Sequence, residues 1–308
     1  MNKKIAITAG DFNGIGPEII IKALKKLDVS PDRFLLIGSK QLFFELQDKY
    51  EILEVQFEDS WLRYGQETKE AGEFSYQCLL KACDLAKKGN VSGIVTAPVS
   101  KNSLHLAGYN YSGQTEILQE CLGNHLDQKA EMLFVNGGFR VLLLTRHLPF
   151  SEVKITKELL IEKICRINNV LKRNFEIDNP KIALCSLNPH AGENGVLGLD
   201  EINEFIPAIN ELQKQGIDVS LPMPSDALFA KVAKSYFAKQ KLPYDVYCAC
   251  YHDQGLIPVK MLAQESAVNM TVGLDVVRTS PAHGTAYDIA GKNIADENSM
   301  ICAINELL

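Results

Sequence analysis

The sequence predicts an α/β fold with a largely parallel sheet that is covered by helices on both faces. Short runs of apolar and β-branched residues alternate with segments whose apolar residues recur at helical spacing, and this alternation continues along the chain. The strand-like runs are apolar nearly throughout, as strands buried on both faces require. With 308 residues, the chain is long enough for one large domain or two linked ones.

The limits of the predicted elements follow from turn residues as well as from periodicity. Pro17 suits the first turn of a helix, and Gly89 ends a segment with apolar residues every three or four positions. The predicted strands are 5–8, 33–37, 91–97, 140–145, 181–185, 218–221 and 245–251. The predicted helices, each with helical periodicity, are 18–27, 67–88, 156–171, 200–213 and 225–237.

Charge and composition exclude several classes of protein. The formal net charge is −6, so the chain is a poor general binder of polyanions, and no nucleic acid is expected as a partner. No apolar run approaches the length of a membrane span, and the first residues lack the features of a signal peptide. The eight cysteines show no short stapled spacing, so we expect reduced thiols in a cytoplasmic protein.

Three histidines follow predicted strands, where α/β proteins gather their ligand sites. They are His147, His190 and His252. Each one alone would more readily be a hydrogen-bonded loop residue, but three in matching positions indicate a metal site. Imidazole suits Zn, Co, Ni and Fe(II), and three imidazoles leave room for a substrate on the ion. His105 and His125 are expected to be ordinary surface residues.

A glycine-rich turn, residues 10–16, follows the first predicted strand. It fits neither the dinucleotide fingerprint Gly-x-Gly-x-x-Gly in register nor the phosphate-binding loop that ends in Gly-Lys-Ser/Thr. Two interpretations stay open: a structural connection between strand and helix, which is favoured, or a segment that lines a site.

The last third of the chain is rich in groups that can bind anions. Lys260 and Arg278 suit phosphate or carboxylate, and Asn269 lies between them in sequence. Taken singly, Lys260 and Arg278 are expected to be solvated surface charges, although their apolar neighbours favour a pocket. The segment 283–286 contains Gly284, which would let backbone amides approach a pyrophosphate.

Eight motifs, spread in order from residue 5 to about residue 291, carry a family resemblance. They are Gly10-Asp11, Gly14-Ile15-Gly16-Pro17-Glu18, Ala97-Pro98-Val99 with Lys101, Pro189-His190-Ala191-Gly192-Glu193, Pro224-Ser225-Asp226 with Leu228-Phe229, Tyr251-His252-Asp253-Gln254-Gly255, Arg278-Thr279-Ser280 and His283-Gly284-Thr285-Ala286. As an ordered set they resemble the 4-hydroxythreonine-4-phosphate dehydrogenases of vitamin B6 biosynthesis. This resemblance is specific because the whole set recurs, whereas a single motif would be modest support.

The resemblance implies an architecture and an assembly. The fold is expected to be similar to that of isocitrate and isopropylmalate dehydrogenases, with two domains of largely parallel sheet. One domain would comprise residues 1–113 and 285–308, and a central domain, 114–284, would carry most metal and substrate residues. Members are homodimers with the active site at the subunit interface.

The resemblance also implies roles for individual residues. The divalent metal ligands would be His147, His190 and His252, one of them from the partner chain. The substrate-binding residues would be Gln114, Thr115, Lys260, Asn269 and Arg278. The acidic candidates for proton transfer or for orienting a ligand would be Asp226 and Asp253. The NAD site would be His283, Gly284, Thr285 and Ala286. The expected cofactors are NAD, with NADP as an alternative, and Zn, Mg or Co.

One departure from the family concerns substrate binding. The family usually reads His-Thr-Glu where this chain has Gln114-Thr115-Glu116. A glutamine side chain donates and accepts hydrogen bonds but carries no proton charge, so a charge or proton-transfer role at this position is in doubt.

The reaction that the resemblance implies is the NAD-dependent oxidation of 4-phosphohydroxy-L-threonine, followed by decarboxylation to 3-amino-2-oxopropyl phosphate, in pyridoxine 5'-phosphate biosynthesis. Three alternatives stay open. They are a dehydrogenase for a 4-phosphorylated sugar acid such as threonate or erythronate phosphate, an enzyme similar to phosphate acyltransferases, and a metabolite-binding protein without activity.

Overall fold

The computed structural model describes residues 3–123, 128–263 and 266–308, which form an alternating series of strands and helices. The strands in chain order are β1 Lys4–Thr8, β2 Phe34–Gly38, β3 Glu51–Glu54, β4 Val91–Thr96, β5 Glu131–Asn136, β6 Phe139–Leu143, β7 Lys181–Cys185, β8 Asp218–Met223, β9 Val246–Ala249, β10 Val268–Val272 and β11 Val277–Pro281. The α-helices are α1 Gly16–Lys26, α2 Lys69–Lys87, α3 Lys101–Leu106, α4 Gln114–Leu122, α5 Lys157–Asn174, α6 Ile206–Lys214, α7 Ser225–Phe237, α8 His252–Ala263 and α9 Asn298–Asn305.

Two compact units divide the chain. The first unit comprises residues 1–130 and 268–308 and carries the strand order β3-β2-β1-β4-β11-β10. Its strands are parallel except β10, which runs antiparallel to β11. Fully buried side chains of β1 and β2, together with Phe12 and Phe74, form its core. The carboxyl ends of β1, β4 and β11 therefore share one edge of this sheet.

The second unit is continuous and comprises residues 131–267. Its strand order is β5-β6-β9-β7-β8, and only β5 runs antiparallel to its neighbour. The strands β7 and β9 are buried along their whole length apart from Lys181, which explains their continuous apolar sequences. The carboxyl ends of β6, β7 and β9 share one edge of this second sheet.

The predicted α/β class with mostly parallel strands is confirmed. The helix expected at 200–213 differs in its first turn, because residues Glu201–Phe205 form a wider π-type turn before α6 begins. The strand expected at 245–251 ends at Ala249, since His252 already opens α8.

The predicted central domain, 114–284, is wider than the second unit at both ends. Helix α4 and the strands β10 and β11 belong to the first unit, where β11 pairs in parallel with β4. Residues 277–281 belong to the first unit because they form backbone hydrogen bonds with β4, a strand that is far away in sequence.

The eight cysteines are all free thiols, and five of them are buried. Within the described ranges, no helix is long and apolar enough to cross a membrane. His105 is exposed on α3, as expected for a surface residue, whereas His125 lies outside the described residues.

Candidate active site

Arg278 is the central charged group of the first unit. It lies on β11, where it pairs with Ile94 of β4, and is only 4% exposed. Its Nε and Nη2 atoms donate to Thr96 Oγ1 at 2.8 and 2.6 Å, and Nη1 donates to Thr271 Oγ1 at 3.5 Å. The guanidinium is thus held in one orientation by the side chains of two neighbouring strands.

The charge of Arg278 has no counter-ion in the part of the chain that the structure describes. Burial lowers its pKa to about 10, so the group is still protonated at neutral pH. A buried charge without a partner destabilises the folded protein by several kcal/mol. This is about the loss of stability seen when one partner of a buried ion pair is removed. The expectation of a solvated surface charge is therefore wrong for Arg278: this geometry calls for an anionic ligand.

Two further predicted residues of the first unit carry unused hydrogen-bond acceptors. Gln114 begins α4, and its Nε2 donates to the carbonyl oxygen of Ala97 at 3.2 Å, next to Thr96. Its Oε1 is buried, as is Oδ1 of Asn269 on β10, and neither accepts a hydrogen bond from the described residues. Both oxygens are thus available to a donor on a ligand. Thr115, beside Gln114, is buried.

Lys260 and the two predicted acidic residues are all exposed. Lys260 is in the last turn of α8, Asp226 is in the first turn of α7, and Asp253 is the second residue of α8. Lys260 thus matches the expectation for a single solvated charge. The two aspartates follow strands β8 and β9 at the carboxyl edge of the second unit.

His147 and His252 lie close together at this carboxyl edge. Their ring centroids are 5.7 Å apart, a separation that two imidazoles on one ion can adopt. The His252 Nδ1 atom is 2.7 Å from Asp253 Oδ1, so the carboxylate can hold this ring with Nε2 pointing away. This pairing of a carboxylate with an imidazole is the usual support of a metal-binding histidine.

His190 lies on a turn with an uncommon backbone. The turn Pro189–Gly195 follows β7, and its φ values are 51° at His190, 54° at Ala191, 78° at Gly192, 43° at Glu193 and 55° at Asn194. Left-handed helical backbone costs roughly 1–2 kcal/mol for each residue other than glycine. Such strain persists only where the surrounding structure enforces it, and it concentrates at functional sites.

Glu201 is the residue that enforces this turn. Its side chain is buried, and Oε1 accepts hydrogen bonds from the backbone amides of Leu187 and Asn188 at 2.9 Å each. Oε2 accepts from Asn188 Nδ2 at 2.9 Å. A Cβ atom at Gly192 would lie 2.9 Å from Oε2, so the turn packs directly on this carboxylate.

The three predicted metal ligands are not all brought together. Among the described residues, no group of three or more His, Cys, Asp or Glu side chains is arranged to hold a metal ion. One chain therefore presents His147 with His252, and it presents His190 separately. The imidazoles suit Zn or Co better than Mg, which prefers oxygen ligands.

The loop 283–286 is partly exposed and rests on the glycine-rich turn of residues 10–16. The Ile15 amide donates to the Thr285 carbonyl oxygen at 3.0 Å, and a Cβ atom at Gly14 would lie 2.8 Å from that oxygen. Gly10 has a φ of 70° and approaches the Pro98 carbonyl in the same way. These close approaches support the structural interpretation of the glycine-rich turn.

Sequence patterns did not reveal Thr96, Thr271 or Glu201. A threonine in a strand is ordinary, and only its position at the carboxyl edge beside Arg278 marks it. For Glu201, the one available signal was an acidic residue shortly after the Pro189–Glu193 motif. Burial of that carboxylate is a tertiary property that the local sequence does not contain.

Comparison with known proteins gives matches over nearly the whole chain. The family model described as "Pyridoxal phosphate biosynthetic protein PdxA" matches residues 16–307. A 4-hydroxythreonine-4-phosphate dehydrogenase of Sulfurihydrogenibium sp. is 37% identical over 98% of this chain and 96% of that protein. A protein of Oceanobacillus iheyensis, described as a putative D-threonate 4-phosphate dehydrogenase, is 36% identical over 100% of this chain and 98% of its own length.

Solved structures agree with these matches. The 4-hydroxythreonine-4-phosphate dehydrogenase of Klebsiella pneumoniae is 32% identical, covers 100% of this chain and 98% of its own, and superposes with a TM-score of 0.87. The isocitrate dehydrogenase of Methylococcus capsulatus is 16% identical, covers 100% of this chain and 85% of its own, and has a TM-score of 0.51. The second likeness concerns the fold alone, and it confirms the fold expected from the sequence motifs.

Proposed function

The chain belongs to the family of the pyridoxal phosphate biosynthetic protein PdxA, and on that premise we propose that it oxidises 4-phosphohydroxy-L-threonine with NAD. The observation that carries the substrate class is Arg278, a buried guanidinium held by threonine hydroxyls and lacking a counter-ion among the described residues. A phosphorylated amino acid supplies the anionic oxygens that this group needs.

The proposed reaction has two stages. The secondary alcohol of the substrate transfers a hydride from carbon to the nicotinamide and releases its hydroxyl proton, which leaves a β-keto acid. The bond to the carboxylate then breaks, CO2 leaves, and the electron pair that remains on carbon takes up a proton. The product is 3-amino-2-oxopropyl phosphate. NAD supplies the redox chemistry, and the protein supplies binding and orientation.

Residues of the first unit would bind and orient the substrate. Arg278 presents a planar fork of N–H groups to an anionic group, and its orientation is already fixed. The free acceptors Gln114 Oε1 and Asn269 Oδ1 suit the hydroxyl and ammonium donors of the substrate. Thr115 belongs to the same proposed set. Lys260, on α8 in the second unit, is the remaining proposed substrate-binding residue.

Residues of the second unit would hold the divalent ion. We assign its ligands to His147, His190 and His252, with Zn or Co favoured by the imidazole donors. When bound, the ion supplies Lewis-acid stabilisation of the oxygen that loses its proton. Asp253 would orient His252 through their 2.7 Å contact, and Asp226 or Asp253 would move the proton.

A homodimer is part of this proposal. Within the described residues, one chain does not gather three metal-binding side chains, so a ligand from the partner chain would complete the set. The loop 283–286 would bind the nicotinamide cofactor through its backbone, since its side chains are small or exposed. The eight free thiols support a cytoplasmic location.

A sugar-acid phosphate is the second candidate substrate. One relative of nearly the same identity is described as a putative D-threonate 4-phosphate dehydrogenase, and Gln114 departs from the histidine usual in hydroxythreonine enzymes. The two substrates differ at C2, where one carries an ammonium group and the other a hydroxyl. A neutral amide can accept a hydrogen bond from either group.

The test is NADH formation by the purified enzyme with both substrates, with and without a chelator. We expect a higher kcat/KM with 4-phosphohydroxy-L-threonine and loss of turnover when metal is removed. Turnover of D-threonate 4-phosphate alone would replace the substrate assignment but keep the chemistry. Absence of NADH formation with every phosphorylated acid, beside full metal content, would refute the dehydrogenase proposal.

A further inference from the structure

Asp11, in the glycine-rich turn of residues 10–16, is a buried carboxylate that the proposed mechanism does not use. Its exposed fraction is 0%, and burial raises its pKa. Its Oδ2 accepts hydrogen bonds from Ser103 Oγ at 2.9 Å and from Tyr287 OH at 2.7 Å, and its Oδ1 accepts from the Asn13 amide at 2.9 Å. Three separate segments of the first unit therefore meet at one carboxyl group.

The partners of Asp11 are all neutral. Throughout the described ranges, no lysine or arginine forms an ion pair with it, so neutral hydrogen bonds alone compensate for its burial. Burying a carboxylate in this way is costly compared with burying an apolar side chain. The carboxylate is nevertheless well suited to hold two hydroxyl groups at once, because each hydrogen bond to it is charge-assisted.

One of these hydroxyl groups belongs to the residue that follows the loop 283–286. Tyr287 comes directly after Ala286, whose φ of 45° marks a sharp change of chain direction. The other attachment of the loop is the hydrogen bond from the Ile15 amide to the Thr285 carbonyl oxygen. The glycine-rich turn thus holds the loop at two successive points, through Ile15 and through Asp11.

The glycine-rich turn is itself fixed, so it can serve as a support. Asn13 Nδ2 donates to Thr68 Oγ1 at 3.1 Å, and Asn13 Oδ1 accepts from the Arg63 amide at 2.6 Å. The Asp11 amide donates to the Pro98 carbonyl oxygen at 2.9 Å. These bonds tie the turn to the segment that leads into helix α2 and to the residues that follow β4.

We propose that Asp11 is a positioning residue for cofactor binding. It fixes the side chain of Tyr287 and thereby the position of the loop 283–286. The inference rests on the proposed function, in which this loop binds NAD. It assigns to the glycine-rich turn the task of supporting the cofactor loop rather than of contacting the cofactor. Loss of the Asp11–Tyr287 hydrogen bond should therefore weaken NAD binding and leave phosphate recognition at Arg278 intact.

The test compares two tyrosine hydroxyl groups of the first unit that each donate to a carboxylate. Tyr287→Phe removes the donor to Asp11, and the control Tyr109→Phe removes the donor to Glu73 Oε2. Ser103 is unsuitable as the control, because its Oγ atom also lies 3.3 Å from the Tyr287 hydroxyl. We expect Tyr287→Phe to raise the dissociation constant of NADH, measured by fluorescence titration of the full-length protein, by about five- to tenfold. Tyr109→Phe should raise it less than about twofold, and neither should change the KM for the phosphorylated substrate by more than about twofold.

Asp11→Asn separates positioning from direct contact. The amide keeps the shape of the side chain but places an N–H group against one of its donors, so we expect at least about tenfold weaker NADH binding. The double variant Asp11→Asn with Tyr287→Phe should bind NADH no more weakly than Asp11→Asn alone, since both changes break the same bond. Thermal unfolding of each variant verifies that the fold is kept.

The outcomes distinguish this inference from the proposed function. Failure of the unaltered protein to bind NADH would refute the cofactor assignment itself. Normal binding by the unaltered protein and equal weakening by Tyr109→Phe and Tyr287→Phe would overturn the positioning role. Additive effects in the double variant would do the same, because Tyr287 would then act by touching the cofactor. If the Tyr287→Phe variant does not fold, the Asp11→Asn variant is the test. Weaker NADH binding with an unchanged substrate KM would support the positioning role, and an equal change in both would overturn it.

Discussion

The two units of the chain present their functional side chains in opposite ways. In the first unit, Arg278 is buried on a strand, and hydroxyl groups of two adjacent strands fix its orientation. In the second unit, the histidines are on loops or at the start of a helix. His147 and His190 are exposed, and His252 is half-buried, with 43% of its side chain accessible. The proposed anion site is thus preorganised within one chain, whereas the described residues of one chain do not gather the three proposed metal ligands.

The difference extends to the backbone. Arg278 lies on a regular strand, and the burial of its charge is the unfavourable contribution to the stability of the fold. His190 occupies a left-handed turn, and its cost is backbone strain that Glu201 holds in place. The unfavourable free energy is electrostatic at Arg278 and conformational at the His190 turn. Substitutions at these two places should therefore affect stability and activity differently.

The largest effect is expected from the two neighbouring histidines of the second unit. His252→Ala and His147→Ala should remove bound metal and lower kcat/KM at least about a thousandfold, or roughly 4 kcal/mol, with little change in thermal stability. His105→Ala, on the exposed face of α3, is the matched control and should change neither. Metal content by mass spectrometry and NADH formation measure the outcome. Full metal content in both variants would disprove the histidine site.

Arg278 should show the opposite balance between activity and stability. Arg278→Lys keeps the charge but loses the fork, so we expect a KM for substrate raised about tenfold to a hundredfold, or roughly 1.4–2.8 kcal/mol, with unchanged NADH affinity. Arg278→Met should abolish substrate binding yet raise the free energy of unfolding by about 1 kcal/mol or more, since an uncompensated buried charge disappears. Denaturant titration measures the second effect, and a less stable Arg278→Met variant would contradict it.

Glu201 tests whether strain supports the metal site. Glu201→Gln keeps the size of the side chain but weakens the hydrogen bonds to Leu187 and Asn188, so metal affinity should fall about tenfold to a hundredfold. Glu204→Gln is the matched control, because Glu204 is in the same π-type turn and also accepts a backbone hydrogen bond, from Lys157. Competition with a metal-binding dye compares the two, and equal losses would remove the special role of Glu201.

The smallest effect is expected at Gln114, where the chain departs from its family. Its Nε2 atom already bonds to the Ala97 carbonyl, and only Oε1 remains for a ligand. Gln114→His should therefore change kcat/KM for 4-phosphohydroxy-L-threonine by less than about tenfold, or roughly 1.4 kcal/mol. A much larger gain, or a switch from D-threonate 4-phosphate to the amino acid, would mean that this position selects the substrate.

The sequence predicted those elements whose pattern is set by burial alone. Strands β1 and β7 are apolar almost throughout, and α7 begins and ends where its periodicity indicates. Strands β10 and β11 and helix α8 were missed for a common reason: they carry several of the proposed site residues. Asn269 and Arg278 interrupt the apolar runs, and Gly255 with Pro258 interrupts the helical pattern of α8.

The candidate site likewise contains residues that the sequence predicted and features that it did not. The motifs were enough to single out Arg278, His190 and His252, and the position after a predicted strand singled out His147. Burial of Arg278, the left-handed turn at His190 and the support from Glu201 could not be predicted. Each depends on a neighbour from another strand or turn, and a local sequence does not record which distant group will pack against it.

The first unit is discontinuous in sequence, and this has a consequence for how the protein is made. Strand β4 must wait for β11, its parallel neighbour, until all of residues 131–267 have left the ribosome. At about 5–20 residues per second, that edge of β4 stays unpaired for on the order of ten seconds in the nascent chain, while the continuous second unit can already fold. An open strand edge invites association with other chains, so this interval is the time of greatest aggregation risk. The proposed anion site is also among the last parts to form, because Arg278 is synthesised after most of the protein around it.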